Sequence, residues 1–240
     1  MIRIGTAGWS IPRRFAGLFP SSGSGLERYA TRLNGAEINS TFYRSHRRET
    51  YARWSAEAPE DFRFAVKLPK AITHERRLVD SDGMLDAFLE EMRNLGPRLG
   101  PLLIQLPPSL AFDLVAAKAF LEGLRSRTEG EVVCEPRHPS WFDGEADGLL
   151  SDYRVARVAA NPARVPQAAV PGGWQGLVYF RLHGSPRMYF SEYDKAFIAD
   201  LVAQLRSEAA SESWCVFDNT GSGAATGNAL DLAEQLHSQN

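Results

Sequence analysis

The chain has 240 residues, with 27 Lys and Arg against 29 Asp and Glu, a net charge of −2, 44% hydrophobic and 23% charged residues. That composition fits one globular domain over residues 1–240 and argues against a non-specific nucleic-acid coat, though a local basic patch is compatible with it. No apolar run approaches the ~18 residues of a membrane span, only Cys134 and Cys215 are present, and the first strand begins almost at Met1, so a cytoplasmic protein without disulfides or membrane partner is expected.

Eight short runs of β-type residues follow one another: residues 3–7 (RIGTA), 36–41 (AEINST), 62–68 (FRFAVKL), 101–106 (PLLIQL), 131–135 (EVVCE), 154–159 (RVARVA), 177–183 (LVYFRLH) and 214–219 (WCVFDN). Helical periodicity fills most of the gaps. Leu26, Tyr29, Ala30 and Leu33 share a face, as do Leu85, Phe88, Leu89 and Met92. Further stripes run through Leu114–Leu124 with Asp113 as N-cap, Phe197–Leu205 and Ala229–Leu236. Strands alternating with helices predict an α/β fold with a parallel sheet, and eight of them predict a TIM-type (β/α)8 barrel. Residues 161–176 hold three prolines and three glycines, so the sixth crossover is expected to be irregular.

Strand side chains alternate faces. One face then carries Glu37, Asn39 and Thr41; Lys67; Gln105; Glu135 and Arg137; Tyr179, Arg181 and His183; and Asp218. Placed outward under the helices these charges would each cost several kcal/mol, on the order of a buried unpaired ion. Placed inward at the C-terminal strand ends they can pair and meet solvent, where barrel enzymes carry their chemistry. A bare ion-pair ring is one reading of such a set. General acid/base chemistry is the other, with Glu37, Lys67, Glu135, His183 and Asp218 as the catalytic candidates.

The loops at the same end add candidates for substrate binding. His74 follows strand three, and His138 and Trp141 follow strand five, the latter as an aromatic wall. Arg187 and Tyr189 follow strand seven. The glycine-rich run 220–228 (TGSGAATGN) after strand eight brings Thr220 and Gly221, next to Asn219, to the start of a helix, a natural anion site. With Asn39, Gln105, Arg137 and Arg181 these residues predict a small anionic substrate. Glu37, Glu135, His183 and Asp218 also include metal-ligand types, but no HxH or HExxH spacing occurs and Lys67, Arg137 and Arg181 compete for the carboxylates. No cofactor is predicted; a divalent metal is the alternative.

Several motifs together resemble the domain of unknown function 72, or YecE-like, family: residues 5–9 (GTAGW), 37–43 (EINSTFY), 62–67 (FRFAVK), 72–77 (ITHERR), 105–108 (QLPP), 137–142 (RHPSWF), 181–184 (RLHG) and 218–220 (DNT). The resemblance covers essentially the whole chain and implies a TIM-type barrel without supplying an activity. It also implies an acidic residue near the end of strand six and an Asn pair at the end of strand eight. Here RVARVAAN and Asp218–Asn219 stand instead, so strand six is not expected to contribute to the site.

The expected function is an enzyme, of hydrolase or lyase type, doing acid/base chemistry on a small anionic, phosphorylated or nucleotide-like substrate. One alternative is a metal-dependent phosphodiester hydrolase on nucleic acid, similar to endonuclease IV. The other is a non-catalytic module binding a nucleotide or nucleic acid through Trp141, Tyr189 and Arg187.

Overall fold

The computed structural model describes residues 1–238. In chain order its strands are β1 (Ile2–Thr6), β2 (Gly35–Ile38), β3 (Arg63–Lys67), β4 (Leu99–Gln105), β5 (Val132–Glu135), β6 (Val155–Arg157), β7 (Ala159–Asn161), β8 (Gly172–Gly173), β9 (Leu177–Leu182) and β10 (Glu212–Phe217). The helices are α1 (Gly25–Ala30), α2 (Arg48–Glu57), α3 (Asp82–Met92), α4 (Leu114–Arg125), α5 (Gly144–Asp152), α6 (Lys195–Ser207) and α7 (Ala224–His237).

The expected single eight-stranded parallel sheet is replaced by two. One is four-stranded and parallel, in the order β1-β10-β9-β7; the other is six-stranded, in the order β2-β3-β4-β5-β6-β8. The second is mixed, because β8 pairs antiparallel to β6. The order is interrupted at two places: β1 and β2 share only the isolated bridge between Ala7 and Glu37, and the predicted sixth strand is divided. That strand breaks at Val158 into β6, which pairs with β5, and β7, which pairs with β9. The irregular sixth crossover is present as expected: it holds a 3₁₀ turn at Pro166–Ala169 and the two-residue β8, with no α-helix.

Helix ends follow the residues that satisfy free amides. Ser24 and Glu27 close a capping box on α1. Asp113, Asp143 and Asp194 accept from the first turns of α4, α5 and α6.

Alternation along the strands separates two apolar clusters. The larger packs Val66, Leu102, Ile104, Val132, Phe180 and Phe217 with the helical stripes. The smaller, on the opposite strand faces, gathers Ala65, Leu103, Val133, Tyr179, Trp214 and Val216. Trp214 stacks on Tyr179 with ring centroids 5.9 Å apart and donates Nε1–H to Glu212 at 2.7 Å. Glu212 also pairs with Arg3 at 2.6 Å, so the N-terminal strand ends are filled by this group. One step further along the same faces come Lys67, Gln105, Glu135, Arg181 and Asp218, at the C-terminal ends.

Candidate functional site

Arg181 is fully buried and organises the cluster. Its Nη2 and Nε donate to the two oxygens of Glu37 at 2.7 and 2.9 Å. Its Nη1 reaches Glu135 at 3.1 Å and its Nη2 reaches Asp218 at 3.0 Å. One guanidinium therefore touches three carboxylates that come from β2, the end of β5 and the residue after β10. A planar five-donor fork is suited to this, where an ammonium is not.

Three further donors complete the carboxylates. Tyr179 donates to Glu37 at 3.2 Å, Gln105 to Glu135 at 3.0 Å, and Arg137 to Glu135 at 3.0 Å. His183 lies between two of them, with Nε2 2.9 Å from Glu135 and Nδ1 3.0 Å from Asp218. A neutral imidazole has one N–H and can donate to only one of these neighbours. Burial pushes the Glu135 carboxyl up, but His183, Arg137 and Arg181 outweigh it and hold it well below the usual range. Burial likewise opposes Asp218, and Arg181 with His183 brings it down.

Lys67 is the exception in this cluster. It is 5% exposed, and although its carbonyl accepts from the Thr41 hydroxyl at 2.6 Å, its ammonium makes no hydrogen bond or ion pair among the described residues. Its Nζ sits 4.1 Å from the centroid of Phe42. Burial and the nearby Arg181 charge outweigh Glu37, Glu135 and Asp218, and the ammonium is pushed down to about 8. His74, edge-on to Phe42 at 4.9 Å, is also lowered, by burial and then by Lys67 and Arg137. Asn39, one residue past the end of β2, has its buried Oδ1 unpartnered.

The sequence candidates divide accordingly. Glu37, Gln105, Glu135, Arg137, Arg181, His183 and Asp218 meet in one network, Lys67 and His74 adjoin it, and the Asn39 side chain makes no hydrogen bond to it among the described residues. Tyr189 covers His183 edge-on at 5.7 Å, its hydroxyl 3.4 Å from Arg137. Trp141 is not an open aromatic wall: it is 2% exposed, donates Nε1–H to the Leu110 carbonyl at 3.0 Å and packs on Phe112. His138 accepts from the Ser140 amide at 3.2 Å and shapes a turn. Arg187 is exposed and lies over Phe190 at 4.1 Å.

In the glycine-rich loop two of the amides are already engaged within the protein. The Gly221 and Gly223 amides donate to the Tyr189 and Thr220 carbonyls at 2.8 and 2.9 Å. Thr220 is exposed, and Asn219 donates to Ser191 and Asn228 to hold the loop. Strand six stays out of the network, since Arg157 points to Asp147 at 2.7 Å. Phe42 was missed by sequence reasoning; Tyr179 was placed on the face of Arg181 and His183 by its period-two spacing but not counted among the site residues.

The donor set does not fit a metal. Among the described residues no group of three or more His, Cys, Asp and Glu side chains is arranged to hold one. The Arg181 guanidinium takes an oxygen from each of the three carboxylates that such an ion would need.

A family model described as "Protein of unknown function DUF72" matches residues 3–240. UPF0759 protein YecE of Escherichia coli (strain K12) is 36% identical over 153 residues, which is 63% of this chain and 54% of that protein. The chain thus spans about half the length of the curated relatives it matches. Among solved structures, a DUF72 family protein of Enterococcus faecalis V583 superposes with a TM-score of 0.82 at 25% identity, covering 99% of this chain and 96% of that one. One of Thermotoga maritima MSB8 gives 0.81 at 24% identity, covering 99% of each. A xylose isomerase-like TIM barrel fusion protein, at a TM-score of 0.55 and 13% identity over 99% of this chain and 43% of that one, shares the fold alone. No helix among the described residues is long and apolar enough to cross a membrane.

Proposed function

The chain belongs to the DUF72 family, and from that premise we propose that it is an enzyme working by acid/base chemistry on a small anionic substrate at the C-terminal strand ends. In this reading the two sheets act as one barrel. Two contacts support their closure: Ala7 bridges Glu37 in parallel, with Gly8 N–H donating to the Glu37 carbonyl at 2.8 Å, and Val158 N–H donates to the Cys134 carbonyl at 2.8 Å where β6 passes into β7.

The observation that carries the reading is Lys67. Every carboxylate around it is engaged by Arg181, Arg137 or His183, while its own ammonium has no ion-pair partner. A buried cation without a counterion is costly, and a substrate anion would supply the missing charge. A lysine brought to about 8 exchanges its proton near neutral pH, as a general acid or base must. Glu135, held low and saturated with donors, is a positioning residue for His183 and Arg137. Arg181 with Glu37 and Asp218 forms the rigid floor beneath.

Competitive labelling with an amine reagent tests this directly, because the chain has only four lysines: Lys67, Lys70, Lys118 and Lys195. Peptide mass spectrometry across pH should give Lys67 a labelling midpoint near 8, with the other three near the ordinary lysine value of about 10.4. Inorganic phosphate should slow labelling at Lys67 alone. A Lys67 profile that matches the other three and ignores phosphate would remove the basis of the proposal.

A further inference from the structure

We propose that Arg164, on the irregular crossover after β7, forms with Arg137 a second anion subsite, so that the substrate carries an anionic group at each end. This deepens the Lys67 reading and rests on it. Arg164, Arg137, Met188 and Pro162 line one cleft whose inner wall is Glu135 and His183. The cleft's free volume is about 10 Å³, room for one oxygen-sized group against the His183–Glu135 pair.

Arg164 is exposed and makes no hydrogen bond or ion pair among the described residues. Arg137 is half of the wall, with a side chain 14% exposed and anchored to Glu135. Two cations thus meet at the mouth of a cleft that leads to the buried network. The nearest carboxylate there, Glu135, is already satisfied by Gln105, Arg137, Arg181 and His183. The opposite glycine-rich loop has its Gly221 and Gly223 amides in use.

Lys67 ends β3 of the six-stranded sheet, where β4, β5 and β6 follow it in order, whereas Arg164 follows β7, the edge strand of the four-stranded sheet. The two unpaired cations therefore flank the His183–Glu135 pair from different sides. A ligand bridging them places its middle atoms over that pair and its charges at the two ends. Small dicarboxylates and phosphorylated carboxylic acids have this form; a substrate with one anionic group does not.

Calorimetric titration of the full chain with glutarate and phosphoglycolate, against butyrate and inorganic phosphate, reads the second subsite. The doubly anionic probes should bind about tenfold tighter than their singly ended counterparts. In Arg164→Gln this advantage should vanish while butyrate and phosphate affinities stay unchanged. Lys67→Met should weaken all four probes. An exposed side chain such as Arg164 is expected to be replaceable without loss of fold, and the thermal melt of Arg164→Gln checks that. If the native chain binds the single anions without preferring the double ones, or if Arg164→Gln keeps the preference, the second subsite is wrong and the Lys67 reading stands. If no probe binds the native chain, both fall.

Discussion

Arg181 shows how one side chain can set the state of several others. Its guanidinium neutralises Glu37, Glu135 and Asp218 at 3.1 Å or less, with no exposure to water. Removing it would leave three buried carboxylates without their common partner, a class of change that costs about 3–5 kcal/mol. Arg181→Met should therefore lower the unfolding free energy read from urea denaturation by that amount or abolish folding. Arg181→Lys should recover only part of the loss, because an ammonium cannot fork between three acceptors. Equal stability of Arg181→Met and the native chain would mean that the network is not held by this residue. The charges of the network were legible in the sequence because a misplaced one is so expensive: period-two spacing from Tyr179 to Arg181 to His183, and from Glu135 to Arg137, left one consistent face. Trp141, His138 and Arg187 were not legible in the same way. Their partners, Leu110, Ser140 and Phe190, are decided by how loops fold back, and a lone loop aromatic or cation carries no periodicity that would point to them.

Among the elements, β1 and β2 pass close together at Gly5 and Gly35. Their pairing is reduced to the single bridge at Ala7 and Glu37, and below it Gly5 faces Gly35. A Cβ added to Gly5 would overlap the Gly35 carbonyl oxygen and carbon, which are backbone and cannot swing aside. Gly5→Ala should destabilise the fold by about 3 kcal/mol or more, by forcing apart the strands that carry Glu37. Gly17→Ala meets no atom within 4 Å and should change stability by less than about 0.5 kcal/mol. Chemical denaturation of both variants checks the pair, and similar midpoints would show that the approach is not a constraint. Six of the eight predicted strands run within two residues of their observed bounds. The second stops early, at Ile38, because Asn39 turns the chain into a 3₁₀ segment at Ser40–Phe42. That turn places Phe42 over Lys67 and could not be read from β propensity. The sixth divides because its run is too weakly apolar, with Arg157 drawn outward to Asp147, to hold one register against both neighbours. Helix α2 was missed since only Tyr51 of its ten residues is buried, leaving little apolar stripe to see.

At the scale of the whole molecule, Lys67 ties stability to pH in the same direction as the lowered carboxylates Glu135 and Asp218, but in an alkaline window and as a penalty at neutral pH rather than a gain. Its folded value, about 8, lies below the ordinary 10.5, so the unfolded chain binds its proton more tightly than the folded one. Stability rises with pH wherever the unfolded state holds more protons, which for this group is the window between about 8 and 10.5. Below that window the ammonium is present in both states and its burial is a fixed penalty of up to about 3 kcal/mol. The native chain alone does not reveal this. Burial raises the thiols of Cys134 and Cys215 and the hydroxyls of Tyr29, Tyr179 and Tyr193, and those groups lose stability as the unfolded chain ionises above about pH 9. Comparison with Lys67→Met cancels them. The variant should be more stable than the native chain by up to about 3 kcal/mol at pH 7, less whatever the contact with Phe42 contributes. The difference should shrink steadily above pH 8 and be gone near 10.5. A stabilising substitution at a site that holds no ion pair would mark Lys67 as a residue kept for its chemistry at the expense of the fold. A variant less stable than the native chain at pH 7, or a difference independent of pH, would show instead that the ammonium is a structural member of the network.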